Sequence, residues 1–215
     1  MGMFEISDGR ARMPSLRKKR PLTRTEGTLR DARLIVIATE GEKTEESYFL
    51  AFGSSRVKIR ILPCELGLSS PEHVFSRILS YKQEYQLGGD DQLWIALDVD
   101  RWGDKKLSDI AASCSQADIG MAVSNPCFEA WIALHLDIDP NDKIPDQPKC
   151  SDVVKVIRGQ LRGYNKSNPP LERILPTVSR AVERAKMNFN ESHRWPNSFG
   201  SHVFKVVEEI QALSR

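Results

Sequence analysis

RLIVIATEGEKTEESYF, residues 33–49, begins as an apolar run and stops abruptly at Glu40-Gly41. A continuous apolar run of this length is the pattern of a strand covered on both faces, as strands inside parallel sheets are. TEESYFLAF (44–52) follows with helix-compatible apolar spacing and Thr44 placed as its N-cap. The same alternation continues along the chain. VKIRILP (57–63) alternates apolar and basic residues before Pro63, which reads as an edge or half-buried strand. SPEHVFSRILSYKQEYQ (70–86) reads as a helix, with Ser70 as N-cap, Pro71 at the first helical position and an apolar stripe of Val74, Ile78 and Leu79. QLWIALDVD (92–100) is another buried strand ending in acids. KLSDIAASCSQA (106–117) reads as a helix, DIGMAVSN (118–125) as a fourth strand, and PCFEAWIALHL (126–136) as an apolar helix with Pro126 at its start.

Four strand–helix repeats predict an α/β fold with a four-stranded, mainly parallel sheet flanked by helices. After a Pro/Asp-rich loop at 137–149, helical stretches are expected at about 151–162, 171–187 and 201–213. They read as a helical extension packed on a core at about 33–136. Residues 32–215 would then form a single domain behind a basic tail, residues 1–31.

The charge is unevenly placed. Residues 1–33 hold nine Lys or Arg against four Asp or Glu, whereas the remainder holds 22 against 25. The tail can be a solvated leader, or it can neutralise phosphates or bind a partner. No apolar h-region follows the basic start, and LIVIA is far short of the run of about twenty residues that spans a bilayer. A cytoplasmic protein without membrane contact is expected, with its four cysteines as reduced thiols. Neither CxxC nor HExxH occurs, which argues against zinc.

The chemistry concentrates where strands end. In open parallel sheets, ligands gather outside the carboxyl ends of the strands. The first strand delivers Glu40, with Glu42 and Glu45 close behind, and the third delivers Asp98, Asp100 and Asp104 in LDVDRWGD. Extended geometry points Asp98 and Asp100 to one side, where both could face a site shared with Glu40. Gathered carboxylates repel, and a divalent cation with a taste for hard oxygen, Mg²⁺ or Mn²⁺, resolves the repulsion. Gly41 would allow a tight turn and backbone room for a phosphate. The plainer alternative is a loop at Glu40 and a solvated turn at the DxD. Other motifs fail: GEKT has Glu42 where a phosphate-binding loop needs Gly, and DVDRWGDKKLSD puts Trp102 and Lys106 at EF-hand ligand positions. WIALDVD resembles a Walker B strand but has no Walker A partner.

A strand ending in Glu-Gly and a later strand ending in Asp-x-Asp resemble the Toprim domain of topoisomerases, primases and OLD-family nucleases. IVIATEGEKTEESYF, LDVDRWGD, SNPCFEAWIALHL and YNK (164–166), in this order, resemble the RloB family over about residues 20–213. That resemblance implies a bacterial protein of restriction or abortive-infection loci, often encoded beside an ABC- or AAA-type ATPase. The Toprim resemblance implies metal-dependent cutting or joining of nucleic-acid phosphodiesters, on DNA or RNA. It would make Glu40 a general acid/base or metal ligand and Asp98 and Asp100 the holders of Mg²⁺ or Mn²⁺. Glu45 would be a further ligand, at a separation from Glu40 that departs slightly from the EGxxD/E spacing of OLD-type enzymes.

Two more residues have double readings. Glu129 either serves a metal at the fourth strand's end or faces solvent near its helix N-terminus. Lys166 either clamps a phosphoryl transition state, as Arg and Lys do, or is a surface lysine. Phe128, Trp131 and Leu134 read as core. Lys43, Arg101, Lys105, Lys106 and Lys166 are candidates for phosphate contact. The function expected is a Toprim-like, metal-dependent nuclease of anti-phage defence; its rival is a non-catalytic binding subunit of a defence complex.

Overall fold

Arg33–Thr39 forms strand β1, and its apolar run divides by alternation between two cores. Ile35 and Ile37 enter one, and Leu34, Val36 and Ala38 the other. Such two-sided burial is why the run is continuous rather than alternating. In the computed structural model, residues 18–19, 32–64, 68–99, 102–138, 144–145 and 147–214 are described. The tail expected at 1–31 lies outside them except for Lys18 and Lys19, and so do Asp100 and Arg101.

The elements that follow are α1 (Thr44–Leu50), β2 (Val57–Leu62), α2 (Pro71–Glu84), β3 (Gln92–Asp98), α3 (Asp104–Gln116), β4 (Gly120–Asn125) and α4 (Glu129–Leu134). Next come α5 (Cys150–Gln160), α6 (Leu171–Ile174), α7 (Val178–Met187), β5 (Gly200–Ser201) and α8 (Val203–Ser214). The sheet order is β2-β1-β3-β4-β5. β1 pairs in parallel with β2 and β3, and β3 in parallel with β4. β2 is the edge strand that its alternating pattern predicts.

The sheet has five strands, not the expected four. β5 pairs antiparallel to the end of β4, Ser124 with Ser201 and Asn125 with Gly200. Two residues carry no periodicity, so NSFGSH showed no strand signal. The Ser124 and Ser201 hydroxyls meet at 2.9 Å beside this pairing.

α2 and α3 cover one face of the sheet, where Val74, Ile78, Leu107 and Ile110 meet Leu93, Ile95 and Leu97. The other face carries α1, α4, α5, α7 and α8, and its core includes Tyr48, Phe49, Phe128, Trp131, Leu134, Val153, Val206 and Ile210. The helices after residue 149 therefore share this layer with α1 and α4. Ser70 caps α2 by accepting a bond from His73 N, with Pro71 at the first position. Three expected boundaries shift. Thr44 is not the cap of α1 but its first residue; its hydroxyl donates to Lys166 O at 2.7 Å. Pro126 does not start α4, which begins at Glu129, and the Asn125–Pro126 bond is cis. The long helix expected at 171–187 breaks into α6, a 3₁₀ turn (Leu175–Thr177) and α7, because Pro176 has no amide to continue the ladder.

Candidate functional site

The strand order turns at β1: the chain runs from β1 outward to β2 and then crosses back to β3 on the other side. In a parallel sheet this switch opens a crevice beyond the carboxyl ends of the two central strands. Glu40 follows β1 directly and Asp98 ends β3, so both stand at its mouth. They are linked. Glu40 N donates to Ala96 O at 3.1 Å, extending the sheet, and Asp98 N donates to Glu40 Oε2 at 3.1 Å. Trp102 Nε1 lies 3.1 Å from both Glu40 carboxylate oxygens. Buried Glu40 is thus oriented by a backbone amide and an indole, each a fixed donor. Arg77 of α2 holds the same strand exit, donating to Thr39 O at 2.6 Å.

Glu45, in the first turn of α1, is also buried, and its Oε1 accepts from Gly41 N at 3.0 Å. A Cβ at Gly41 would lie 2.1 Å from that same oxygen. Gly41 is therefore needed for the close approach of a carboxylate. The room expected for a phosphate beside it is filled by Glu45. Burial, reinforced by the charges of Glu129 and Glu40, pushes the Glu45 carboxyl up to about 7, against bonds from backbone amides that pull it down.

Glu129 is buried in the first turn of α4 and does not face solvent. Its Oε2 pairs with Lys166 Nζ at 3.0 Å, and Tyr164 OH donates to Oε1 at 3.4 Å. Burial and the neighbouring Glu129 carboxylate raise the Tyr164 phenol far above its ordinary range, so it remains a donor. YNK and SNPCFEAW thus meet across 35 residues, since α4 and α5 pack side by side and the loop after α5 returns over them.

These groups surround one cavity of about 830 Å³. Glu40, Glu42, Glu45, Asp98 and Glu129 line it together with Lys43, Lys155, Arg158 and Lys166. Lys43 is exposed at the start of α1. Lys105 and Lys106 stand elsewhere, on a shallow depression beside Glu72. Lys106 pairs with Glu72 at 3.1 Å and sits 4.6 Å over the Trp102 ring, the indole whose Nε1 holds Glu40. Several of these residues had no signal in the sequence. Lys155 and Arg158 sat in an ordinary amphipathic pattern, and Trp102 in a loop where only its neighbours looked functional.

The thiol expectation is overturned for two cysteines. Cys127 and Cys150 form a disulfide, with Cα atoms 5.7 Å apart, while Cys64 and Cys114 are free. Cys127 follows β4 and Cys150 opens α5, so the packing of α4 on α5 brings together residues that no short spacing relates. Among the described residues, one group of three potential metal donors lies within 4.8 Å of one another: Cys127, Glu129 and Cys150. With the sulfurs bonded to each other, only Glu129 offers an anionic ligand there. No described helix is long and apolar enough to cross a membrane.

His135 is structural. Its Nδ1 lies 2.9 Å from Ile174 O, so Nε2 accepts from Tyr48 OH at 3.0 Å. Burial drives its pKa down to about 4, which keeps it neutral.

No match was found among curated proteins or among solved structures. A family model does match: the RloB-like protein model covers residues 35–210, from β1 into α8 and through every residue of the cavity. The chain belongs to the RloB-like family.

Proposed function

We propose that this cavity hydrolyses nucleic-acid phosphodiesters with a divalent cation, in the manner of Toprim enzymes. The observation that carries the reading is the pair of carboxylates at the switch point, Glu40 after β1 and Asp98 at the end of β3, joined through Asp98 N. The donor set fits Mg²⁺ or Mn²⁺, because it is hard oxygen from Glu40, Asp98 and Glu45 on one wall. The raised pKa of Glu45, caused first by burial and then by the Glu129 and Glu40 carboxylates, is compatible with the same fit.

Glu40, Asp98 and Asp100 would hold the cation, with Glu45 as a further ligand; Asp100 lies outside the described residues. The ion would neutralise charge on the scissile phosphate and lower the pKa of an attacking water. Trp102 and the Asp98 amide fix the Glu40 carboxylate, so that it can ligate or accept a proton without first reorganising. Lys166, paired with Glu129 at the opposite wall, places a cation where the transferring phosphoryl group would gain charge. Glu129 acts through Lys166 and not as a ligand in this arrangement. We further propose a setting in anti-phage defence, with an ATPase encoded nearby as partner.

The test is cleavage of single- and double-stranded DNA and RNA in Mg²⁺ or Mn²⁺, with and without that ATPase. Asp98→Ala should lower the rate by at least about 100-fold while the far-UV spectrum and thermal midpoint are kept, as loss of one charge-stabilising group does. Identical behaviour of wild type and variant on every substrate would leave a non-catalytic binding subunit as the correct reading.

A further inference from the structure

Helix α5 turns one face to the acidic cavity. Ser151, Val154, Lys155 and Arg158 line it, at spacings of three and four residues that place them on a single stripe. Val154 is buried at the base of this stripe, while Lys155 and Arg158 are exposed at its crest.

Acids predominate near the sheet and α1, where Lys43 also lies, and bases predominate on α5. The sheet and α1 supply Glu40, Glu42, Glu45 and Asp98, and α5 faces them with Lys155 and Arg158. Among the described residues, the ion pair joining an acid and a base of this cavity is Lys166 with Glu129. Neither Lys155 nor Arg158 makes an ion pair or a side-chain hydrogen bond among the described residues, although carboxylates line the same space. Two cations held on a rigid helix and kept from neighbouring acids are suited to an anion arriving from outside.

Their spacing is compatible with a phosphate-bearing strand. One helical turn separates Lys155 from Arg158, a rise of about 4.5 Å. Successive phosphates of one strand advance by about 3.4 Å along the duplex axis, within reach of two long side chains one turn apart. A polynucleotide strand engages both.

We propose that α5 is the backbone track of the cavity: Lys155 and Arg158 bind two neighbouring phosphates of a nucleic-acid strand, and Ser151 donates to the same backbone. This rests on the nucleic-acid substrate of the proposed function but not on hydrolysis. The track also replaces Lys105 and Lys106, whose depression lies apart from the cavity.

The experiment is anisotropy titration of labelled DNA and RNA oligonucleotides, single- and double-stranded, in EDTA between 50 and 200 mM salt. Each phosphate contact contributes about 0.7 to 0.9 to the slope of log K against log salt. Lys155→Ala/Arg158→Ala should therefore flatten the slope by about 1.4 to 1.8, and its deficit against wild type should shrink about 7- to 12-fold across that salt range. Lys58→Ala/Arg60→Ala removes the same charge from exposed positions of β2 and is the control. An unchanged slope in the α5 variant, an equal flattening in the β2 control, or no binding by wild type would each overturn the track. Cleavage is assayed separately in Mg²⁺ and Mn²⁺. Absence of cleavage with a flattened α5 slope would defeat the hydrolase reading and uphold the track.

Discussion

Replacing Glu45 with Gln should make the metal-free protein more stable at pH 8 and nearly indifferent at pH 4.5. Glu45 sits against Glu40 from β1, Glu129 from α4 and the Gly41 amide, with Tyr164 from the loop after α5 close enough to feel its charge. Asp98, Lys43, Lys155, Arg158 and Lys166 line the same cavity. Burial and the two acids raise its carboxyl from 4.5 to about 7 in the fold. The sign follows from proton counting. Between these values the folded protein holds a proton that the unfolded chain has released, so stability falls as pH rises through this window and is level above it. Below 4.5 both states are protonated and the contribution is complete. At about 1.4 kcal/mol per pH unit, the loss is about 3 kcal/mol.

A glutamine keeps the acceptor for Gly41 N and removes the charge. The difference in unfolding free energy between Glu45→Gln and wild type should therefore grow by about 3 kcal/mol from pH 4.5 to pH 8. For a chain of this size that is roughly 6 to 12 °C in the thermal midpoint. Urea denaturation in EDTA at half-unit pH steps reads it, and titrating groups remote from Glu45 cancel in the difference. A difference that stays constant across the window would refute the account, because it would mean that Glu45 ionises equally in both states.

Three further outcomes are expected, besides the Asp98→Ala and α5 tests above. Gly41→Ala places a methyl 2.1 Å from Glu45 Oε1, so that carboxylate must leave its seat. The lost hydrogen bond should cost about 1 to 3 kcal/mol in urea titrations, and the pH dependence assigned to Glu45 should shrink with it. Reducing the Cys127–Cys150 bond, which spans a sequence separation of 23, should lower stability by about 3 kcal/mol. Cys150→Ser should show the same loss without further response to dithiothreitol, and an unaltered urea midpoint on reduction would show that the bond is not formed. At pH 8, millimolar Mg²⁺ should raise the thermal midpoint of wild type more than that of Glu45→Gln if Glu45 is a ligand.

The parallel core was legible because its signals are periodic. Apolar runs of five residues, LIVIA and LWIAL, Ser70 followed by Pro71, and acids at strand ends are each local and strong. What escaped was set by tertiary contact. β5 is two residues long, and the α5 cations look like any solvated face until the helix is docked. Cys127 and Cys150 meet only because α4 packs on α5. Gly41 was recognisable as special, yet the reason for it lay four residues away: the fold seats a carboxylate where a Cβ would stand.

That seating bears on the choice between catalysis and simple scaffolding. A buried acid whose neighbours are two more acids disfavours its own ionised form, by about 3 kcal/mol on the figures above. An amide at Glu45 would accept the Gly41 hydrogen bond equally well and carry no such cost. Packing alone therefore gives no reason for a carboxyl there, whereas protein partners account for two other buried polar groups. His135 bridges Tyr48 and the Ile174 carbonyl, and Glu129 has Lys166 and Tyr164. Locally unfavourable groups that serve no packing purpose are what functional sites display. Glu45 becomes favourable only when positive charge enters from outside. On the proposed reading a cation would serve the acids of the switch point, and the α5 bases that line the same cavity would meet a phosphate bound beside it.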